Sequence, residues 1–232
     1  MKTTSLLSLL HISSPALPIG AFAYSQGLEY TLDAGWCKTA KDVEQWIESV
    51  LRFGLAGVDL PILQRLHQAW QTNDQEAVQH WNDMLLAFRE TKELYLEDVQ
   101  VGAAFKQWHL AQLSESESLK QADDIEAKLE WLEKPSVVAM YALHGVLTDI
   151  PVEECLIGFC WAWLENQIAA ASKAMPMGQT DGQRIMRRLI PVIDEVVAHA
   201  MTLPDEEVGS GLVGLAMSSS LHEHQYSRLF RS

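Results

Sequence analysis

Thr39-Ala-Lys-Asp-Val-Glu-Gln-Trp-Ile-Glu-Ser-Val-Leu51 decides the fold class. Val43, Trp46, Ile47, Val50 and Leu51 stand at i, i+3, i+4, i+7 and i+8, the ladder of one buried helix face. Thr39 supplies an N-cap, with a carboxylate, Asp42, three residues on. Outward from this stretch the same period recurs. Asp59 and Pro61 open a helix with Leu63, Leu66 and Trp70 inward and Asn73 near its end. Two helices fit 74–113, carrying Trp81, Leu85, Phe88, Leu94, Val101, Phe105 and Trp108. Ser136 caps an apolar helix to about Leu147, and Pro151 sits at a helix N1 position. From there Val152, Cys155, Leu156, Phe159, Cys160, Trp163, Leu164 and Gln167 keep the period without a slip. No period-2 run bounded by hairpin residues appears. The expected fold is a single all-α domain over 1–221, a bundle of roughly eight to ten helices. Residues 222–232 follow as a flexible tail.

Composition narrows the function. The chain has 232 residues, 17 basic and 31 acidic, for a net charge of -14. That argues against nucleic-acid binding, which needs a basic face for phosphate. The acidity lies mostly before residue 171; the last quarter is close to neutral and richer in Arg. Cys37, Cys155 and Cys160 cannot all pair and show no CxxC spacing, as in a reducing compartment. No stretch reads as a signal peptide or a membrane span. The expected location is the cytoplasm. The acidic 114–134 stretch reads as an exposed loop followed by a short surface helix.

Several strings mimic catalytic signatures. Gly209-Ser-Gly211-Leu-Val-Gly214 is a literal GxGxxG, but no βαβ unit surrounds it, so it reads as a tight turn with close helix contact. Ala23-Tyr-Ser25-Gln-Gly27 resembles a nucleophile elbow without the strand that an elbow needs. His222-Glu-His224 lacks the HExxH spacing; on a helix the two imidazoles diverge, whereas in an extended tail they could share a metal. Cys155 and Cys160 fall on an apolar ladder and read as core. Arg184, Arg187 and Arg188 invite an arginine-finger role, but Ile185, Met186 and Leu189 fix their helix, and a basic face explains them. Arg184 keeps the strongest functional claim of the three.

Three segments are not explained by helix packing. Ser13-Ser-Pro-Ala-Leu-Pro-Ile-Gly-Ala-Phe-Ala-Tyr-Ser-Gln-Gly-Leu-Glu29 has two prolines, then aromatic and amide groups entering a helix. Met175-Pro-Met-Gly-Gln-Thr-Asp-Gly-Gln-Arg184 reads as a polar turn between hydrophobic helices, the turn itself being Gly178–Gly182. His222-Glu-His-Gln-Tyr-Ser-Arg-Leu-Phe-Arg-Ser232 mixes aromatic, apolar and Arg side chains, the composition of an interface anchor.

Taken together and in this order, the three segments resemble the UreF family of urease accessory proteins across essentially the whole chain. The resemblance implies an all-α dimer without catalytic activity. Such a protein joins UreD (UreH in some species) and the GTPase UreG on apo-urease, bridges the two, and serves delivery of nickel to the urease metallocentre. It implies no resident cofactor, with nickel at most transient. It casts Tyr226, Arg228, Leu229, Phe230 and Arg231 as UreD-docking residues. Gly178, Gln179, Gln183 and Arg184, with Phe22, Tyr24 and Gln26, are further partner-binding candidates. A second reading is a nickel carrier that holds metal directly through His222 and His224.

Overall fold

The computed structural model describes residues 1–116, 119–209 and 211–232, and among these every regular element is helical. In chain order the helices are α1 Thr3–Ile12, α2 Leu28–Asp33, α3 Ala40–Val50, α4 Asp59–Thr72, α5 Gln75–Ala87 and α6 Lys92–Ser116. Then come α7 Leu119–Leu129, α8 Val137–Leu147, α9 Val152–Ala174, α10 Gln179–Ala200 and α11 Val213–His222. Short 3-10 turns occupy Ala21–Ala23 and Asp205–Glu207, and a π turn, Leu51–Leu55, prolongs α3. The described helices number eleven, one more than the upper end of the eight to ten expected.

The start signals act as their chemistry requires. The Thr39 hydroxyl accepts from the Asp42 N–H at 3.2 Å, and the Asp42 carboxylate accepts from the Thr39 N–H at 2.8 Å, closing a capping box. Ser136 caps α8 by accepting from Ala139 N–H at 3.1 Å. Asn73 ends α4 in the left-handed conformation. Pro151 stands one position earlier than expected, as the N-cap of α9.

Helix α4 is central, packed between α5, α8 and α9. Leu60, Ile62, Leu63, Leu66 and Trp70 are buried there. The Trp70 indole stacks on Trp131 at 5.2 Å and donates to the Ala139 carbonyl at 3.1 Å, satisfying its one polar group. Residues 138–143 of α8 are buried on every side, so that helix has no polar face. Cys155 and Cys160 lie in this core, where burial pushes both thiols well above their ordinary range. Gly102 lets α6 touch the chain before α8: a Cβ there would lie 2.0 Å from the Pro135 carbonyl oxygen.

Two sequence expectations change. Residues 179–184 are the first turns of α10 rather than a loop, with Gly178 as N-cap. Gly182 is a packing residue: a Cβ there would come within 3.0 Å of Ile168, so glycine draws α10 onto α9. The acidic 114–134 stretch is largely helical, since α6 runs to Ser116 and α7 starts at Leu119. Glu117 and Ser118 lie outside the described residues, as does Ser210 of the GxGxxG string. Elsewhere in that string the Gly209 N–H bonds the Gly57 carbonyl, and Gly214 belongs to α11.

Candidate partner-docking site

The two terminal segments meet. Between α1 and α2 the chain turns three times in left-handed backbone, at Gly20 (φ +77°), Gln26 (φ +53°) and Gly27 (φ +76°). Gly27 is required twice over, because a Cβ there would sit 2.4 Å from the Ser218 hydroxyl and 2.9 Å from the Ser219 nitrogen on α11. The side chains between reach inward. Tyr24 is buried and its hydroxyl donates to Gln100 at 2.7 Å. The Gln26 amide donates to Glu97 at 2.8 Å while accepting from the Trp163 indole at 2.7 Å. Asn166 donates to the Tyr24 carbonyl at 3.0 Å. Phe22 points out, 66% exposed.

Residues 222–232 fold back against the same place. His222 closes α11, fully buried between two carboxylates: Nδ1 lies 2.8 Å from Glu93 and Nε2 3.1 Å from Glu29. Each ring nitrogen is thereby matched to one carboxylate oxygen. Beyond His222 the chain forms a strap. Glu29 accepts the backbone N–H of Leu229 at 2.7 Å and of Phe230 at 3.0 Å. Arg228 donates to Glu93 at 2.9 Å. The Ser232 hydroxyl donates to Glu97 at 3.0 Å, and its carbonyl oxygen accepts from the Ser25 N–H at 2.7 Å and hydroxyl at 2.5 Å. The Arg231 N–H bonds the Ala23 carbonyl at 2.8 Å. Phe230 is buried under the Lys173 ammonium, which sits 4.7 Å from the ring centre. Residues read as a loose tail therefore lie on a cradle of Glu29, Glu93 and Glu97.

This geometry settles several sequence readings. The Ser25 hydroxyl is buried on the chain end, so the elbow-like string has no exposed nucleophile. His222 and His224 cannot share an ion: both nitrogens of the first face carboxylates, and the second is exposed. Among the described residues no group of three or more His, Cys, Asp or Glu could hold a metal. Burial drives the Glu97 carboxyl up to about 7, against hydrogen bonds from Gln26 and Ser232 that favour its ionised form. Next to it, burial also raises Asp98, although Arg89 pairs with it. Arg89 grips Asp59 at 2.5 Å and Asp98 from its other edge. These groups border a cavity of about 180 Å³ whose wall includes Phe22, Gln26 and Trp163.

The third segment lies apart from the first two. Gly178, Gln179, Gln183 and Arg184 are exposed at the start of α10, where Arg184 pairs with Asp181 at 3.2 Å. Arg188 holds Glu44 in a two-pronged pair at 2.6 and 2.7 Å. Sequence reasoning missed Glu93 and Glu97, whose spacing on α6 reads as a solvated face. It also missed the part played by Glu29, though the residue closes the first segment. The one available signal was the pair of acidic residues four apart, Glu93 and Glu97, interleaved with Leu94, Leu96 and Val101 on α6.

An all-helical chain whose gathered polar groups hold its own C-terminal strap in place, with aromatic and apolar side chains facing outward, has the makings of an interaction protein. The UreF family model matches residues 37–190. A urease accessory protein UreF from Teredinibacter turnerae is 49% identical over 98% of both chains. Those from Hahella chejuensis and Chromohalobacter salexigens are 46% identical over the whole of both chains and 43% identical over 98% of this chain and 95% of the relative. The chain belongs to the UreF family of urease accessory proteins, and its role lies in the maturation of urease. No described helix is long and apolar enough to cross a membrane.

Proposed function

We propose that this chain is a non-enzymatic assembly factor that bridges UreD/UreH and the GTPase UreG on apo-urease, with nickel as the cargo of the assembly. The observation that carries the reading is the strap. Its backbone is fixed by Glu29 while Tyr226 and Leu229 face solvent. A preordered strap binds without the entropy cost that a disordered tail would bear. In this reading UreD takes the strap, and UreG takes the polar start of α10 at Gln179, Gln183 and Arg184. A homodimer is part of the same proposal. Leu6, Leu7 and Leu10 leave α1 with an apolar face 43–61% exposed, of the kind a second copy covers.

The test is co-purification of this chain with UreD, UreG and apo-urease, with the mass of each subcomplex measured. A species holding UreD and UreG only when this chain is present supports bridging. A UreD–UreG complex that forms equally without it refutes it. Leu7→Asp with Leu10→Asp should halve the mass of the isolated chain in sedimentation.

A further inference from the structure

Beneath the first segment lies the cavity of about 180 Å³, and its wall is of two kinds. Most of it is apolar, with Phe22, Tyr141, Phe159 and Trp163 among its rings; Phe22, 66% exposed, stands at the rim. The rest is ionic. Asp59, Glu97 and Asp98 are buried, exposed Glu90 adds a fourth carboxylate, and Arg89 is the only cation among the described residues of the wall. Arg89 is already committed, since its guanidinium pairs with Asp59 at 2.5 Å and with Asp98. Glu97 is left with no cation in contact. Its two oxygens accept from the Gln26 amide at 2.8 Å and the Ser232 hydroxyl at 3.0 Å, both neutral donors. A buried carboxylate held only by neutral donors bears most of its desolvation cost uncompensated, and a positive charge beside it offsets that cost.

We infer that this cavity is a binding site for a small organic cation, an ammonium or guanidinium carried on an apolar body, with Glu97 as its counter-charge. The size fits one ring and a short charged arm, because an apolar cavity of about 150 Å³ already takes up benzene. The rings of the wall cover the body, and aromatic faces also attract a cation. A neutral or anionic ligand would leave Glu97 uncompensated. A bare metal ion would leave the apolar wall unmatched, and no described cluster of three or more ligating side chains could hold one. The site depends on no partner of the assembly.

The test uses the full chain at pH 8, above the value of about 7 to which burial raises the Glu97 carboxyl. The probes are benzylammonium, its neutral analogue benzyl alcohol, and ammonium ion alone. Binding is read by calorimetry and by NMR of the tryptophan indole N–H groups, with Trp163 assigned from Trp163→Phe. Benzylammonium should bind in the millimolar range or tighter and shift the Trp163 indole, whose N–H is bonded to Gln26 in the wall. Benzyl alcohol and ammonium should each bind at least tenfold more weakly. Glu97→Gln should weaken benzylammonium at least tenfold, with benzyl alcohol binding unchanged and a thermal midpoint no lower than that of the wild type. The inference is overturned if benzyl alcohol binds the wild type as tightly as benzylammonium does, a comparison that stands whatever the variant does. It is overturned equally if Glu97→Gln binds benzylammonium undiminished, or if millimolar benzylammonium leaves the Trp163 resonance in place.

Discussion

Arg89 offers a sharp test of how the cradle side of the molecule is held. It lies between α5 and α6, and its guanidinium joins Asp59 at the start of α4 to Asp98 on α6. The other Asp98 oxygen accepts the Val137 N–H at 3.0 Å, tying in the start of α8. The side chains are 17%, 11% and 4% exposed for Arg89, Asp59 and Asp98, so water can replace little of what is removed. Arg89→Met keeps most of the volume and strands two carboxylates. Breaking a buried pair from one side costs about 3–5 kcal/mol, a large share of the roughly 5–15 kcal/mol that holds a domain. With a urea dependence of about 2–3 kcal/mol per molar, the unfolding midpoint should fall by about 1–2 M.

The loss should depend on pH in a fixed direction. Burial already raises Asp98, with Arg89 opposing that rise. Without the guanidinium the folded state binds a proton there more readily than the unfolded chain, so stability falls as pH rises above the ordinary carboxylate range. The difference between Arg89→Met and wild type should therefore be larger at pH 8 than at pH 5, and adding Asp98→Asn should recover part of it. Urea unfolding at both pH values measures this. A difference below about 1 kcal/mol, or one equal at the two pH values, would refute the reasoning.

Other perturbations follow from the same physics. Burial lowers His109 to about 4 and His144 to about 3, below the ordinary 6.5, so the unfolded chain binds more protons in that window. Stability should drop as pH falls from 6.5 toward 4, by about 3 kcal/mol from His109 alone, and His109→Gln should flatten that limb in acid unfolding curves. Glu97, raised to about 7, works oppositely: its contribution is present in acid and lost as pH rises from 4.5 through 7, by about 3 kcal/mol. Glu97→Gln mimics the protonated form, and calorimetry should find it at least as stable as wild type at pH 8. Gly27→Ala should cost more than about 2 kcal/mol, from left-handed strain and the clash with Ser218. Its hydrogen-exchange signature should be lost protection in α11 before the core.

The fold was legible because it is written locally. Thr39 with Asp42, Ser136, and the ladder from Val152 to Gln167 each state a helix within a short local stretch, and each helix is present. Misreadings arose where a residue type serves two ends. Gly182 reads as a turn but is a close approach of α10 to α9, and only the partner Ile168, far back in the sequence, makes the difference. The terminal segments drew notice because their prolines, amides and aromatics fit no helix ladder. Their meeting was hidden, because the bonds from His222, Leu229 and Ser232 run to glutamates 129 to 200 residues away.

That distance bears on how such a surface is built. A tail free in solution must lose backbone freedom at about 1–2 kcal/mol per residue when a partner orders it. Here that cost is met within the chain, since Glu29 takes two consecutive N–H groups and Phe230 finds a pocket. The acidic residues responsible are among those that make the chain strongly negative, yet Glu29, Glu93 and Glu97 are buried and contribute nothing to a solvated acidic face. The anchor of the strap is thus electrostatic and internal, while the surface it presents is apolar and cationic. Salt should therefore screen the exposed Arg231 while leaving the Glu29 grip on the strap nearly unchanged, because buried charges are screened far less than exposed ones.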